Sequence, residues 1–145
     1  MKCAGTFAGL INDGHEAFSL ALDQIPAEGE VRKEHYDAFI AKYLKAYPNG
    51  LDGLGTATRL LAMKRPDVFL CVDAQNKTEL SKDIGIVRPD QIDYERYWDE
   101  VVLRLMASPW WQSPQPIGST ERAVWSARAA MLDAIFYREK KPKKS

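Results

Sequence analysis

The sequence predicts an all-α protein, a compact bundle of about six helices. Apolar residues recur every three or four positions through most of the 145-residue chain, which is the spacing that one buried helix face requires. Prolines and glycines cluster between these periodic segments, where they end one helix before the next begins. No segment alternates strictly enough between apolar and polar residues to predict a sheet.

The composition is that of one globular domain. Hydrophobic residues make up 46% of the chain and charged residues 28%, which argues against a disordered protein. The formal net charge is zero, which counts against a strongly basic nucleic-acid binder unless charge is segregated by face. We therefore expect a single helical domain over residues 1–139 and a basic tail at 140–145, whose lysines would attract nucleic acid in a salt-sensitive way.

The chain lacks the residue patterns of metal and cofactor sites. Cys3 and Cys71 fit no zinc or iron–sulfur spacing, and His15 and His35 have no partners at ligand spacing. We expect reduced thiols, no metal and no cofactor. The N-terminal segment has no long apolar core, and no apolar run approaches the ~20 residues of a membrane helix. These features predict a cytoplasmic protein with no membrane partner.

Two apolar stripes predict the first two helices. The first stripe ends at Pro26 and Gly29, which interrupt a helix. The second lies in "EVRKEHYDAFIAKYLKAYPNG", where Pro48, Asn49 and Gly50 are typical stop signals. The stripe residues are Phe18, Ala21, Leu22 and Ile25 in the first helix, and Tyr36, Phe39, Ile40, Tyr43, Leu44 and Tyr47 in the second.

The middle of the chain predicts two shorter helices and the segment between them. One helix runs from Thr56 to about Met63. The segment "DVFLCV", from Asp67 to Val72, is either a short strand or a buried connector, because a single run makes no sheet. "QNKTELSKDIG" then predicts a polar helix that ends at Gly85.

Two further helices are predicted in the C-terminal half. "DYERYWDEVVLRLMAS" is periodic and ends at Pro109. "STERAVWSARAAMLDAIFYREKK" predicts the last helix, with Ser119 or Thr120 as its N-cap. Their apolar positions are Tyr94, Tyr97, Trp98, Val101, Leu105 and Met106 in the first, and Val124, Ala127, Met131, Leu132 and Ile135 in the second.

Trp110 and Trp111 lie between these helices in the proline-rich loop "PWWQSPQPIGS". A rigid aromatic pair in such a loop either stacks on nucleic-acid bases or plugs the end of the bundle. We favour the plug. The tryptophans within the predicted helices, Trp98 and Trp125, lie on apolar stripes and are expected in the core.

The strongest functional signal lies ahead of the third helix. Gly53 and Gly55 lack Cβ where the chain must turn sharply, and the next helix directs its free N–H groups to the same turn. Such a helix start binds anions, phosphate above all. The segment has neither the lysine spacing of a P-loop nor the preceding strand of a dinucleotide fold. It predicts a main-chain phosphate site, with a helix–helix turn that binds no ligand as the alternative.

The segment "LDGLGTATRLL" resembles the helix-hairpin-helix motif of the DNA repair glycosylases, the HhH-GPD superfamily. Its hairpin commonly reads Leu-Pro-Gly-apolar-Gly, which Leu51 to Gly55 match except that Asp52 replaces the proline. Downstream, "FLCVDAQN" resembles the superfamily's apolar-apolar-Asp-x-Asn segment. The resemblance places Asp73 on the catalytic aspartate, with Asn76 one position beyond the usual asparagine.

This resemblance covers residues 47–85 and, weakly, the C-terminal third; it implies that the chain binds double-stranded DNA and excises a base. Cleavage of the base–sugar bond places positive charge on the deoxyribose, which a nearby carboxylate stabilises. The target nucleotide must leave a duplex that is held by its phosphates. Asp73 would be the catalytic residue, and the DNA-binding residues would be Gly53, Leu54, Gly55, Thr56, Thr58, Arg59, Lys64, Arg65 and Asn76.

Departures from the superfamily leave several interpretations open. Lyase-type members carry a lysine just after the second glycine, where this chain has Thr56, so we expect a glycosylase without Schiff-base chemistry.

Only about fifty residues precede the hairpin. This favours a second interpretation, a non-catalytic DNA-binding or assembly module of a repair or phage-defence complex, with a partner protein completing the fold. The neutral charge favours a third, a helical interaction protein without nucleic acid. Asp73 has its own alternative, a cap on the helix that follows it.

Overall fold

The structure, a computed structural model, describes residues 16–46, 54–74 and 76–132. In these ranges all regular elements are helical, so the all-α prediction is confirmed. Helix α1 spans Glu16–Leu22, α2 Lys33–Ala46, α3 Leu54–Lys64 and α4 Lys77–Ile84. Helix α5 covers residues 94–106, and the shorter α6 and α7 span Pro109–Gln112 and Ser119–Ser126.

Helices α1 and α2 pack against each other and contribute several aromatic side chains to the core. The ring of Phe18 stacks on that of Tyr43 with centroids 6.0 Å apart, and Phe39 lies 5.9 Å from the same ring. The chain turns between the two helices at Gly29, whose φ of +81° is a left-handed conformation that favours glycine. The predicted stripes are therefore confirmed as core, except that Tyr47 lies outside the described residues.

Helix α5 also contributes to the core and departs from regular α geometry. It begins as an α-helix at Tyr94–Arg96, widens to a π-helix over Tyr97–Val102 and returns to an α-helix over Leu103–Met106. The fully buried hydroxyl of Tyr97 donates to the carbonyl of Leu70 at 2.8 Å and accepts from its N–H at 3.3 Å. Burial raises the pKa of Tyr97, so this hydroxyl keeps its proton in the folded state.

Residues 65–73, which we call the connector, join α3 to the segment before α4 and lie in the centre of the core. The connector forms no strand, so the alternative of a buried connector is confirmed. Phe69 is fully buried and contacts three aromatic rings, those of Tyr36 at 6.3 Å, Tyr97 at 6.4 Å and Trp98 at 6.3 Å. The connector therefore lies between the N-terminal helices and α5.

Arg65 anchors the start of the connector. Its guanidinium forms a two-point ion pair with Asp67, in which Nε and Nη2 each lie 2.9 Å from a carboxylate oxygen. The same group donates to the carbonyls of Pro26 at 3.0 Å and Gly29 at 2.8 Å. Arg65 is only 7% exposed. The sequence placed Arg65 on a DNA phosphate; the structure corrects this, because these bonds occupy its donors inside the protein.

The predicted C-terminal helix is interrupted after Ser126, and its predicted part beyond Leu132 lies outside the described residues. Helix α7 begins after Gly118, rather than after one of the two hydroxyl residues that follow it, and ends at Ser126. Beyond α7, the N–H groups of Ala129 and Ala130 both donate to the carbonyl of Pro66, at 3.1 and 2.9 Å. The chain leaves the helix because these bonds attach it to the connector.

The tryptophan pair lies in a helical turn rather than a loop, and of the two only Trp111 packs against the core. This turn is α6. The indole N–H of Trp111 donates to the carbonyl of Asp67 at 2.6 Å, and that of Trp110 donates to the carbonyl of Arg128 at 2.7 Å. Both side chains are therefore tied to the fold, even though Trp110 remains 42% exposed.

Replacing Arg65 with alanine should lower the free energy of unfolding by about 3 kcal/mol, because Asp67 and two carbonyls would lose their partner in a mostly buried setting. Urea unfolding followed by tryptophan fluorescence measures the change. Arg32→Ala is the matched control, since Arg32 pairs with Glu30 at the surface and should change stability by less than about 0.5 kcal/mol. Equal effects of the two substitutions would contradict the anchoring role.

Candidate functional site

The first turn of α3 and Asp73 meet at one small cavity. Its volume is about 180 Å³, and both Gly55 and Asp73 line it. The structure thus brings together the described part of the predicted phosphate site and the predicted catalytic residue, while Gly53 lies outside the described residues. The other residues of this cavity that matter for its chemistry are Leu54, Lys77 and Asp90.

Thr58 fastens the end of the connector to α3. Its hydroxyl donates to the carbonyl of Leu54 at 2.8 Å and accepts from the N–H of Val72 at 3.0 Å. A second contact joins the Cys71 Sγ to the carbonyl of Gly55 at 3.5 Å. These bonds fix the residue before Asp73 to the first turn of α3, which explains why the two share a cavity.

Asp73 and Asn76 bind each other reciprocally. The N–H of Asp73 donates to Asn76 Oδ1 at 3.0 Å, and the N–H of Asn76 donates to Asp73 Oδ1 at 3.1 Å. The pattern is that of a capping box, and it closes the turn that leads into α4. Asn76 also donates from Nδ2 to the carbonyl of Cys71 at 2.6 Å. Asp73 therefore caps the turn before α4, whose own N-cap residue is Asn76, rather than the helix itself.

Capping does not remove Asp73 from the cavity. The residue is 8% exposed and lies on the cavity wall, whereas Asn76 is fully buried. One oxygen, Oδ1, is oriented by a main-chain N–H, and Oδ2 lies 4.0 Å from Cys71 Sγ. The arrangement gives a carboxylate in a set orientation at the edge of solvent. Chemically, such a group can stabilise positive charge or accept a proton from water.

Lys77 and Asp90 are cavity residues that the sequence analysis missed. Lys77 Nζ lies 2.8 Å from Asp90 Oδ1. Lys77 was within reach of sequence reasoning, since it follows Asp73 by one helical turn and the Lys77 N–H donates to the Asp73 carbonyl at 3.1 Å. Asp90 could not be predicted from the sequence. It belongs to the short 3₁₀ turn Pro89–Gln91, which only the tertiary fold brings to this cavity.

Arg96 holds the loop that carries Asp90. Arg88 has a φ of +54°, which residues other than glycine seldom adopt. The guanidinium of Arg96 donates to the carbonyl of Arg88 at 3.1 Å and to that of Val87 at 2.5 Å. Arg96 also pairs with Glu100, and their hydrogen bond raises the pKa of Arg96 and lowers that of Glu100. The loop is thus held from helix α5.

The predicted DNA-binding residues divide by burial. Four of them have side chains that are buried and do not lie at the surface of this structure. They are Thr56, Thr58, Arg65 and Asn76. The partly exposed residues, which keep access to a ligand at the surface, are Leu54, Gly55, Arg59 and Lys64.

Comparisons of this chain with protein-family models, with curated proteins and with solved structures find no match. The resemblance to the HhH-GPD superfamily therefore stays a prediction. In the part of the chain that the structure describes, no three His, Cys, Asp or Glu side chains are grouped so as to hold a metal ion. No helix in the same ranges combines the length and apolar character needed to cross a bilayer.

Substitutions of Asp73 should separate its capping bond from its charge. Asp73→Ala removes the acceptor of the Asn76 N–H and should lower the free energy of unfolding by about 1 kcal/mol. Asp73→Asn keeps an oxygen acceptor and should cost less than about half of that. Chemical denaturation of both variants provides the measurement, with Asp90→Ala as the control at the same cavity. If Asp73→Ala is as stable as the wild type, the capping bond does not contribute.

Proposed function

We propose that this chain is a cytoplasmic helix-hairpin-helix protein that binds double-stranded DNA and excises a base without lyase activity. The first turn of α3, which we call the grip, would bind the phosphates, and Asp73 would be the catalytic residue. The observation that carries the proposal is the shared cavity, because Gly55 and Asp73 line the same space. Base excision needs a carboxylate beside the grip, where the sugar of an extruded nucleotide arrives.

The grip is supported by the charge and accessibility of α3. Leu54 and Gly55 are partly exposed at the helix start, where main-chain N–H groups and the helix dipole favour an anion. Arg59 and Lys64 are partly exposed further along the same helix and would neutralise neighbouring phosphates. Among the described residues, four of those predicted to bind DNA thus remain after the buried ones are set aside.

The proposed chemistry uses the orientation of Asp73. When the base–sugar bond breaks, the electron pair leaves with the base and positive charge develops on the deoxyribose. The carboxylate of Asp73, oriented through Oδ1, would stabilise that charge and accept a proton from the water that adds to the sugar. Lys77 is bound to Asp90 and would not act as an amine nucleophile.

The second candidate function is a non-catalytic DNA-binding or assembly module that keeps the grip without the excision. Two observations favour it. The hydrogen bonds between Asp73 and Asn76 give the carboxylate a structural role that needs no catalysis. The cavity of about 180 Å³ is also smaller than the ~300 Å³ at which sites for organic ligands commonly begin. A protein partner would then supply the remaining wall.

DNA binding is tested with two substitutions of Gly55 that introduce side chains of nearly the same size but of different charge. Gly55→Asp places a carboxylate where we expect a phosphate, so affinity for a DNA duplex should fall at least about tenfold. Gly55→Asn has nearly the same size without the charge, and its loss should be smaller. Mobility shifts or fluorescence anisotropy with one labelled duplex measure both. Equal affinities of the wild type and Gly55→Asp would exclude the grip.

Catalysis is tested with duplexes that each carry one modified base, followed by alkaline cleavage of abasic sites. The wild type should produce strand breaks on at least one duplex, and Asp73→Asn should slow this reaction by at least about a hundredfold. Asp90→Asn is the matched control at the same cavity and should retain activity. Breaks that persist in Asp73→Asn would exclude the assigned residue, whereas tight binding without breaks in the wild type would favour the module.

A further inference from the structure

A second cavity lies where α6 and the residues after α7 meet the start of the connector. Its volume is about 370 Å³, which falls in the range of ~300–1,000 Å³ common for organic ligands. None of its described lining residues borders the Asp73 cavity. The residues that decide its chemistry are Arg128, Arg65, Asp67 and Glu30, together with an apolar wall formed by Val31, Val68, Met106 and Trp111.

Arg128 is a buried cation on the wall of this cavity. It is 8% exposed, and its guanidinium carbon lies 4.5 Å from the ring centroid of Trp111 and 4.3 Å from that of Trp125. Nε donates to the carbonyl of Trp111 at 3.0 Å, and Nη1 donates to that of Trp125 at 3.1 Å. Among the described residues, no acceptor is found for Nη2 and no carboxylate lies within ion-pair distance.

The other charged groups of the cavity are already paired. Asp67 holds Arg65 through two hydrogen bonds, and Glu30 holds Arg32 at the surface, with 3.3 Å between Nε and Oε2. Arg128 is therefore the cation left without a carboxylate. Burial lowers its pKa, Asp67 raises it and Arg65 lowers it, yet an arginine of this kind stays charged.

A charged group in such a place costs free energy that the two tryptophan rings and two carbonyls offset only in part. An anionic oxygen at Nη2 would supply the missing partner through a charge-assisted hydrogen bond. The cavity is much larger than a bare inorganic ion requires, and its apolar wall would suit a hydrocarbon or aromatic group. The charge and the wall together define one class of ligand.

We propose that this cavity binds a small organic anion of about the size of one ring. Its carboxylate or phosphate group contacts Arg128, and its apolar body packs against Val31, Val68 and Met106. This site is independent of the proposed action on DNA, because the two cavities share no described lining residue. Failure of the glycosylase proposal would therefore leave it standing, and the reverse is also true.

The test compares four probes by calorimetry and thermal unfolding at constant ionic strength. Benzoate and phenyl phosphate carry both the charge and the ring, benzyl alcohol carries the ring alone, and inorganic phosphate carries the charge alone. At least one of the two aromatic anions should bind saturably and raise Tm with concentration. Benzyl alcohol and inorganic phosphate should bind at least about tenfold more weakly. The stronger aromatic anion identifies the anionic group.

Arg128→Gln should weaken the binding of the stronger aromatic anion at least about tenfold, because it removes the cation. Arg122→Gln, an exposed change on α7, is the matched control and should leave the affinity unchanged. If Arg128→Gln fails to fold, Glu30→Gln decides the question. It removes an exposed carboxylate from the cavity rim and should raise the affinity about twofold.

Three results would overturn the proposal. The first is absence of saturable binding of both aromatic anions to the wild type. The second is equal affinity for benzyl alcohol and the anions, which would mean that the charge is not recognised. The third is an affinity that does not change in a folded Arg128→Gln variant, or in Glu30→Gln where Arg128→Gln cannot be purified.

Discussion

The hydrogen bonds of Arg65 hold the start of the connector in place, and the rest of the structure depends on this position. They tie the start of the connector to a nearby carboxylate and to two carbonyls of the loop after α1. Later elements then attach to the connector: Tyr97 and Trp111 bind its main chain through their side chains, and the residues after α7 bind the carbonyl of Pro66. Because the connector is neither helix nor strand, these bonds satisfy main-chain groups that would otherwise be buried unpaired.

The same constraint places both candidate sites at the two ends of the connector. At its far end, Thr58 holds the connector on α3 and so keeps Asp73 beside Gly55. At its near end, Asp67 is occupied by Arg65, which leaves Arg128 as a buried cation facing a separate cavity. A hydrogen bond to one oxygen of Asp73 orients the side chain on the cavity wall, so capping and catalysis are compatible roles for one residue.

Several features were predictable because their causes are local. Gly85 ends α4 in a left-handed conformation, as its position after a polar helix indicates. The pairing of Asp73 with Asn76 follows from their spacing, which is that of a capping box. In one case, the position of a residue in the sequence led to a wrong prediction about which way its side chain points. Arg65 follows Lys64 directly, yet the chain leaves α3 between them and directs Arg65 into the protein.

The sequence by itself determined the all-α class, the apolar stripes of α1 and α2 and the end of α4, because these depend on periodicity and on conformational preferences within a few residues. Only the tertiary structure decided the π-helical segment of α5, the end of α7 at Ser126, the inward position of Arg65 and the cavity beside Arg128. Each of these includes a contact with a partner far away in the sequence, such as the Pro66 carbonyl for the residues after α7. Local patterns carry no information about such partners until the chain has folded.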